Sequence, residues 1–382
     1  MAISTAPKTR IFFVDYVRAA IVTLVILQHI AIIYAANYHF YYFEPTRDIL
    51  ALLVLGVFTS FNQAWFMGLF FLISGYFSPS SFDRKGPKQF LNDRLIRLGI
   101  PFLICVFVLN PLAVCIGYYH LSAAALKGAT LPSAITWQFY LSLAHPGPVW
   151  FLAMLLIYDF GYAVWRIASR NIKAQGAKGY PFPTYRTIAA FILLLFAVSY
   201  LIRIIVPIGQ YVLFFPTLSY LPQYISFFLI GVVAARGDWL TKMPSSMAKR
   251  VFVVAMIATL TLFLLARHGG GKSWSWIGGG TWESAVYALW DSIFAVGISM
   301  FMIALFRRFF DFSGKLRQYF SQHSYTVYVI HIPIIVTLAA VVLSSISIGP
   351  LLKFALAAVI AVPLIWGAAY LVRKIPYANR IL

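Results

Sequence analysis

The amino-acid sequence predicts an all-α polytopic membrane bundle of about ten transmembrane helices, with both termini cytoplasmic. Three observations carry that expectation. The chain of 382 residues is 62% hydrophobic and 10% charged, with mean hydropathy +0.84, where a soluble domain of this size carries about 25% charge. Ten apolar runs each come close to the roughly 20 residues that cross a bilayer. The basic residues fall between those runs on alternate sides. Of the 30 Lys and Arg, 23 lie in segments 1–10, 78–97, 166–186, 236–250, 307–317 and 373–382. By the positive-inside rule those segments face the cytoplasm.

The predicted spans run about 11–35, 57–77, 98–119, 148–166, 187–206, 217–235, 251–266, 282–306, 321–343 and 351–372, within a single domain 1–382. Residues 46–60 are also apolar, and could extend the second helix or lie at the interface. The first run is too long for a signal-peptide apolar core, and no small-residue cleavage pattern ends it, so it reads as an uncleaved anchor. Among the outer connections, Asn37 to Pro45 is aromatic and could line the mouth of a pocket near His29. Tyr119 to Pro148 is the longest and reads as holding a short interfacial segment, and His268 to Gly280 is glycine-rich. The formal net charge is +20, but its placement between apolar runs points to a lipid bilayer and away from nucleic acid. Cys105 and Cys115 fall on different faces of one predicted helix, as small core residues with neither a disulfide framework nor metal-type spacing.

The first span holds the polar residues that ask for an explanation. Asp15, Arg18 and His29 sit in an otherwise apolar run, and each ionisable group in a spanning helix costs roughly 2.5–3.5 kcal/mol even on the gentlest scale. Arg18 and His29 are eleven residues apart, which places them on one face about 16 Å apart along the axis. Asp15, three residues before Arg18, is close enough to pair with it. Such a stripe faces protein or a water-filled cavity.

Phe70 to Arg97 ends a span in Ser74-Gly75-Tyr76 and continues into a basic loop carrying Arg84, Lys85, Lys88, Arg94 and Arg97. Arg94 and Arg97, at i and i+3, share a helical face and can offer guanidinium forks to phosphate; the plainer reading is positive-inside charge on lipid headgroups. His331 falls near mid-membrane with Ser324, Tyr325 and Tyr328 before it, where a structural hydrogen bond and a proton-handling role both fit. Trp150, at the outer end of span four, fits an aromatic belt. Asp159 and Asp291 lie inside spans and need partners, with Arg203 a candidate for neither in particular. His39, His120, His145, His268 and His323 read as solvated or interfacial, and no His or Cys pair has metal-ligand spacing.

Asp15-Tyr16-Val17-Arg18 followed by His29, then FFLISGYF, RLIRLGIP, PVWFL at Pro148 to Leu152 and SYTVYVIH at Ser324 to His331, resemble the integral-membrane acyltransferase type 3 family. The aromatic loop to Glu44-Pro45, with ISGYFS and RLGIP, is most similar to its glucan biosynthesis protein C branch. The resemblance covers essentially the whole chain. It implies O-acyl transfer across the inner membrane from cytoplasmic acyl-CoA, acetyl-CoA or succinyl-CoA, to a hydroxyl of an extracytoplasmic carbohydrate or similar acceptor. It maps the family's arginine–ten residues–histidine motif onto Arg18 and His29. It also associates a cytoplasmic arginine pair with the CoA phosphates. That pair is usually written with one intervening residue, whereas Arg94 and Arg97 have two between them. Arg84 and Lys88 are therefore candidates to complete it, next to Ser74 and Gly75. On this reading His29 is the base, Arg18 with Asp15 its electrostatic partner, His331 a second proton-handling group, and Trp150, Tyr325 and Tyr328 line the substrate site. The rival reading is a transporter in which the same buried charges form a substrate or proton pathway.

Overall fold

The computed structural model describes residues 11–35, 40–121, 135–169, 180–212, 215, 218–268 and 273–382, and their regular structure is helical. Nine helical stretches among them are long and apolar enough to cross a membrane. The stretch over 49–119 is 71 residues long and contains two of the ten predicted spans, 57–77 and 98–119.

Helix α1 (Phe12–Tyr34) is the hub. It packs against α2 (Ile49–Gln63), α3 (Phe66–Arg94), α10 (Trp282–Phe309), α11 (Lys315–Thr337) and α12 (Pro350–Val372). Of its apolar window 61% is buried, so its polar stripe faces protein, as the cost of charge in lipid requires. Between α3 and α10 in sequence lie α4 (95–119), α5 (Trp137–Ser142), α6 (Trp150–Ala168), α7 (Tyr185–Ile205), α8 (Leu221–Gly237) and α9 (Ser245–His268). In α7, α9 and α12 only 22%, 28% and 28% of the window is buried, so apolar side chains such as Leu194, Leu260 and Val359 point outward. Those helices form the lipid-facing rim.

Chain chemistry sets the helix ends. The Asp48 carboxylate accepts from the Ala51 N–H at 3.1 Å and starts α2, so the apolar segment at 46–60 falls largely in a helix of its own and the predicted span 57–77 straddles its end. Thr184 and Thr281 hydroxyls cap α7 and α10 in the same way. A two-residue break at Ala64 and Trp65 separates α2 from α3. A second break, at Gly86 with φ 75° and ψ 168°, turns the basic segment back toward the bundle. Only glycine adopts that backbone without strain, and Pro87 beside it cannot continue the hydrogen-bond ladder. α4 then alternates α-helical Ile100–Ile104 and Asn110–Tyr119 with π-helical Leu95–Gly99 and Cys105–Leu109.

α3 and α8 run side by side in close contact. A Cβ at Gly75 would lie 2.1 Å from the Phe228 carbonyl oxygen, and one at Gly231 would lie 2.1 Å from that of Leu72. Small residues let the two backbones touch, the usual means of tight helix association in a bilayer. Gly75, expected at the cofactor site, is thus a packing glycine. Ser74 sits on the turn whose carbonyl faces the Ser78 hydroxyl.

Two internal ion pairs join neighbouring helices. Asp159 on α6 receives the Ser78 hydroxyl at 2.6 Å and Arg94 Nε at 2.9 Å. Asp291 on α10 receives Arg203 from α7 at 2.7 Å, and the Tyr220 and Tyr287 rings lie 4.8 and 5.7 Å from the guanidinium carbon. Each carboxylate thereby gains the partner its burial demands.

Candidate active site

His29, on the α1 end away from Asp15, lines a cavity of about 420 Å3. His331, fully buried on α11, stands behind it: its Nε2 lies 3.4 Å from His29 Nδ1, with ring centroids 5.0 Å apart. The tautomers follow from hydrogen-bond logic. His29 Nδ1 lies 2.7 Å from the Val25 carbonyl and His331 Nδ1 lies 2.6 Å from that of Tyr328. A carbonyl only accepts, so in each neutral ring the proton sits on Nδ1. His331 Nε2 then offers a lone pair toward His29 Nδ1–H, and His29 Nε2 is left as a lone-pair nitrogen on a cavity residue. A proton taken up at His29 Nε2 gives a cation whose Nδ1–H already faces two acceptors, the Val25 carbonyl and the His331 nitrogen. That is the arrangement of an oriented general base.

The aromatic loop after α1 closes one side of the cavity, with Phe40 stacked on His29 at 5.6 Å and Tyr41 beside it. The part of this loop expected at 37–39 lies outside the described residues. The Tyr42 hydroxyl and the Lys353 ammonium both reach Glu44, which ties the loop to α12. Trp150 lines the cavity and stacks on Tyr224 at 5.2 Å. It is 7% exposed, so it is a buried wall residue, where a belt residue would stand at the lipid surface. Tyr328 also lines the cavity and donates to the Pro148 carbonyl. Tyr325 is not among the lining residues; its hydroxyl donates to the Arg97 carbonyl, linking α11 to the first turn of α4.

The structure separates the other predicted residues from this cavity. Asp15 Oδ2 is 2.9 Å from Arg317, a side chain expected in a cytoplasmic connection. The Arg18 guanidinium lies 4.9 Å from the Phe77 ring. Arg18 is thus about three helical turns from His29, about 16 Å along the axis, and does not reach its ring. The Arg94/Arg97 pair splits. Arg94 turns inward to Asp159, whereas Arg97 is exposed. The shared face expected from 3.6 residues per turn is lost because the chain becomes π-helical at Leu95. Arg97 instead has Arg373 close by: burial, then the Arg97 charge, holds the Arg373 guanidinium below the usual arginine range. Arg84 and Lys88 are exposed on either side of the Gly86 bend.

Several cavity residues escaped the sequence reading. His145, expected to be solvated or interfacial, lines the cavity with its ring 5.3 Å from that of Tyr41. His323, expected in the same class, is buried with its Nδ1 2.6 Å from the Tyr319 carbonyl. Gln28 and Gln63, polar residues within apolar stretches, carried a usable signal. Tyr220 and Tyr287 arrive from distant segments, and nothing local marks them.

A family model described as "Acyltransferase domain" matches residues 11–370. Among curated proteins, the chain is 25% identical over 344 residues to "Glucans biosynthesis protein C" of Escherichia coli O157:H7 (strain EC4115 / EHEC), covering 86% of this chain and 83% of that one. It is 26% identical over 348 residues to the protein of the same name from Escherichia coli O9:H4 (strain HS), with 86% and 83% covered. No solved structure matches.

Proposed function

This chain belongs to the acyltransferase-domain family and is a multi-pass membrane acyltransferase, and from that premise we propose that it moves an acyl group from cytoplasmic acyl-CoA to a hydroxyl acceptor on the outer side of the inner membrane. The observation that carries this reading is the His29–His331 pair opening on the cavity. His29 Nε2 takes the proton of the acceptor hydroxyl as its oxygen attacks the thioester carbonyl. The C–O bond of the ester forms and the C–S bond breaks. The thiolate leaves and recovers the proton from His29, so the products are an ester and CoA. His331 Nε2 and the Val25 carbonyl hold the Nδ1–H while His29 is charged.

The donor phosphates fit the opposite end. Arg97 and Arg373 bring two cations to that end, with the Arg97 charge disfavouring that of Arg373, and an anion there gains both. Arg18, Arg84 and Lys88 add positive charge to that half of the chain. The pantetheine arm then runs inward toward His29, and the acceptor, an extracytoplasmic carbohydrate or comparable polyol, enters past the Phe40–Tyr41 loop. Gly75 and Arg94 have no donor role in this scheme, because packing and the Asp159 pair already occupy them.

The test is transfer from radiolabelled acyl-CoA by purified wild type and His29→Ala. Removing a positioned base costs about 10²- to 10⁴-fold in rate, with donor binding retained. Undiminished transfer by His29→Ala would overturn the assignment.

A further inference from the structure

A second cavity lies toward the basic end of the bundle, and we propose that it holds one acyl chain of an anionic glycerophospholipid, whose phosphate rests on the cations around its mouth. The inference concerns the opposite end of α8 and α10 from the tyrosines near His29, and it is independent of the acyltransfer reading. The cavity has a volume of about 250 Å3 and lies between α7, α8 and α10. Phe191 comes from α7, Phe227 and Ala234 from α8, and Val296 and Ile303 from α10. Thr187 and Ser299 are the polar residues among the described lining, and none of that lining is charged.

The dimensions suit a lipid chain. Phe227 to Ala234, and Val296 to Ile303, each cover about 10 Å of helix. The hydrocarbon core is roughly 30 Å thick, so the chains of one leaflet occupy about 15 Å of it, and the cavity takes most of that depth. Its α7 wall belongs to the lipid-facing rim, with only 22% of the apolar window buried.

The mouth supplies the charge. Phe182 borders it, with its ring 5.8 Å from that of Trp239 on the short helix Trp239–Lys242. The Arg307 guanidinium donates to the Leu240, Thr241 and Met243 carbonyls and fixes that short helix to α10. Three exposed cations flank these residues. Arg186 adjoins the lining residue Thr187 on the first turn of α7, and Arg250 donates to the Tyr185 hydroxyl at 3.2 Å. Lys242 stands between the lining residues Leu240 and Met243. Asp238 is the one acidic residue in segments 180–190 and 236–250; it meets Lys242 at 3.9 Å in an exposed pair, which neutralises little. An apolar slot beneath a cationic rim matches a chain and a phosphate on one molecule. A zwitterionic headgroup would bring its own cation to that rim, and a soluble phosphate would leave the slot unfilled. The basic segments are those expected to face the cytoplasm, where the leaflet is negatively charged.

The experiment counts lipids retained by the full chain in native mass spectrometry, after addition of phosphatidylglycerol, phosphatidylcholine with the same chains, or glycerol phosphate. Each cation near a lipid surface is worth about fivefold in binding. The wild type should therefore hold phosphatidylglycerol about tenfold more tightly than phosphatidylcholine and should not retain glycerol phosphate. Arg186→Gln/Arg250→Gln should bring phosphatidylglycerol to the level of phosphatidylcholine, and Ala234→Phe, which places a ring in the slot, should lose both lipids. Equal retention of the two lipids by the wild type would overturn the proposal, as would a preference that survives the double glutamine variant. Undiminished retention by a folded Ala234→Phe would do the same. Palmitoyl-CoA held more tightly than phosphatidylglycerol, and lost in Ala234→Phe, would give the cavity to a different occupant and also overturn it. The glutamine variant alters exposed side chains alone, so the test stands even where Ala234→Phe fails to fold.

Discussion

At the scale of the residue, the two arginines three positions apart behave differently for a physical reason that mutation separates. Arg94 serves a carboxylate with no solvent exposure, so Arg94→Ala leaves Asp159 buried with only the Ser78 hydroxyl. Because Arg94 is itself one quarter exposed, we expect about 3 kcal/mol of lost stability, the low end for breaking a buried pair. Thermal unfolding in detergent checks this, and the double variant Arg94→Met/Asp159→Leu should recover most of the loss. Arg97→Ala should leave unfolding unchanged and weaken acyl-CoA binding, with a reduced dependence on ionic strength. If Arg94→Ala weakened donor binding while stability held, the roles would be reversed. His29 and Arg18 stood out in the sequence because ionisable residues are rare in apolar runs. Which of the two faces a cavity did not show there, since one helical face 16 Å long passes through two environments.

At the scale of the element, α1 is central because it carries polar groups at both ends of one stripe, which α11 meets with Arg317 at one end and His331 at the other. The α3–α8 contact is set by glycine. Gly75→Ala would drive a methyl into the Phe228 carbonyl, so either the helices separate or α3 shifts. Overpacking of this kind costs about 1–3 kcal/mol; we expect a lower unfolding temperature with acyl-CoA affinity little altered, since Gly75 touches neither end of the proposed donor path. The loop from Phe40 to Glu44 is held at its end by Lys353. Lys353→Met should free that loop, seen as faster hydrogen exchange at residues 40–45, while Lys353→Arg should retain protection. Unaltered exchange in Lys353→Met would show that the aromatic contacts alone hold the loop.

At the scale of the whole molecule, the proposed transfer requires the arginine end and the histidine end to open on opposite sides of the membrane. Cys105 and Cys115 are both buried, so few native thiols compete for a label. In a Cys105→Ala/Cys115→Ala background, a cysteine at Arg84 should react with an impermeant maleimide only in inside-out vesicles. A cysteine at Tyr211, on the cavity rim, should react only in right-side-out ones. Labelling of both sites from one side would remove the cross-membrane scheme.

Hydropathy and charge alternation act locally and add along the chain, because each span must satisfy the bilayer by itself. For that reason the sequence alone determined the helical class and the residues whose burial needs an explanation. The partners of Asp15, Asp159 and Asp291 are different in kind. They come from positions 302, 65 and 88 residues away, and any buried cation at the right depth would have served. The cavity likewise joins α1, α2, the starts of α3 and α6, and Tyr211, Tyr220, Tyr287 and Tyr328 from distant segments. Its shape and the residues on its described walls depend on which faces meet. Only the tertiary structure decided those, because helix faces choose partners by packing and by pairwise neutralisation, quantities that no single segment carries.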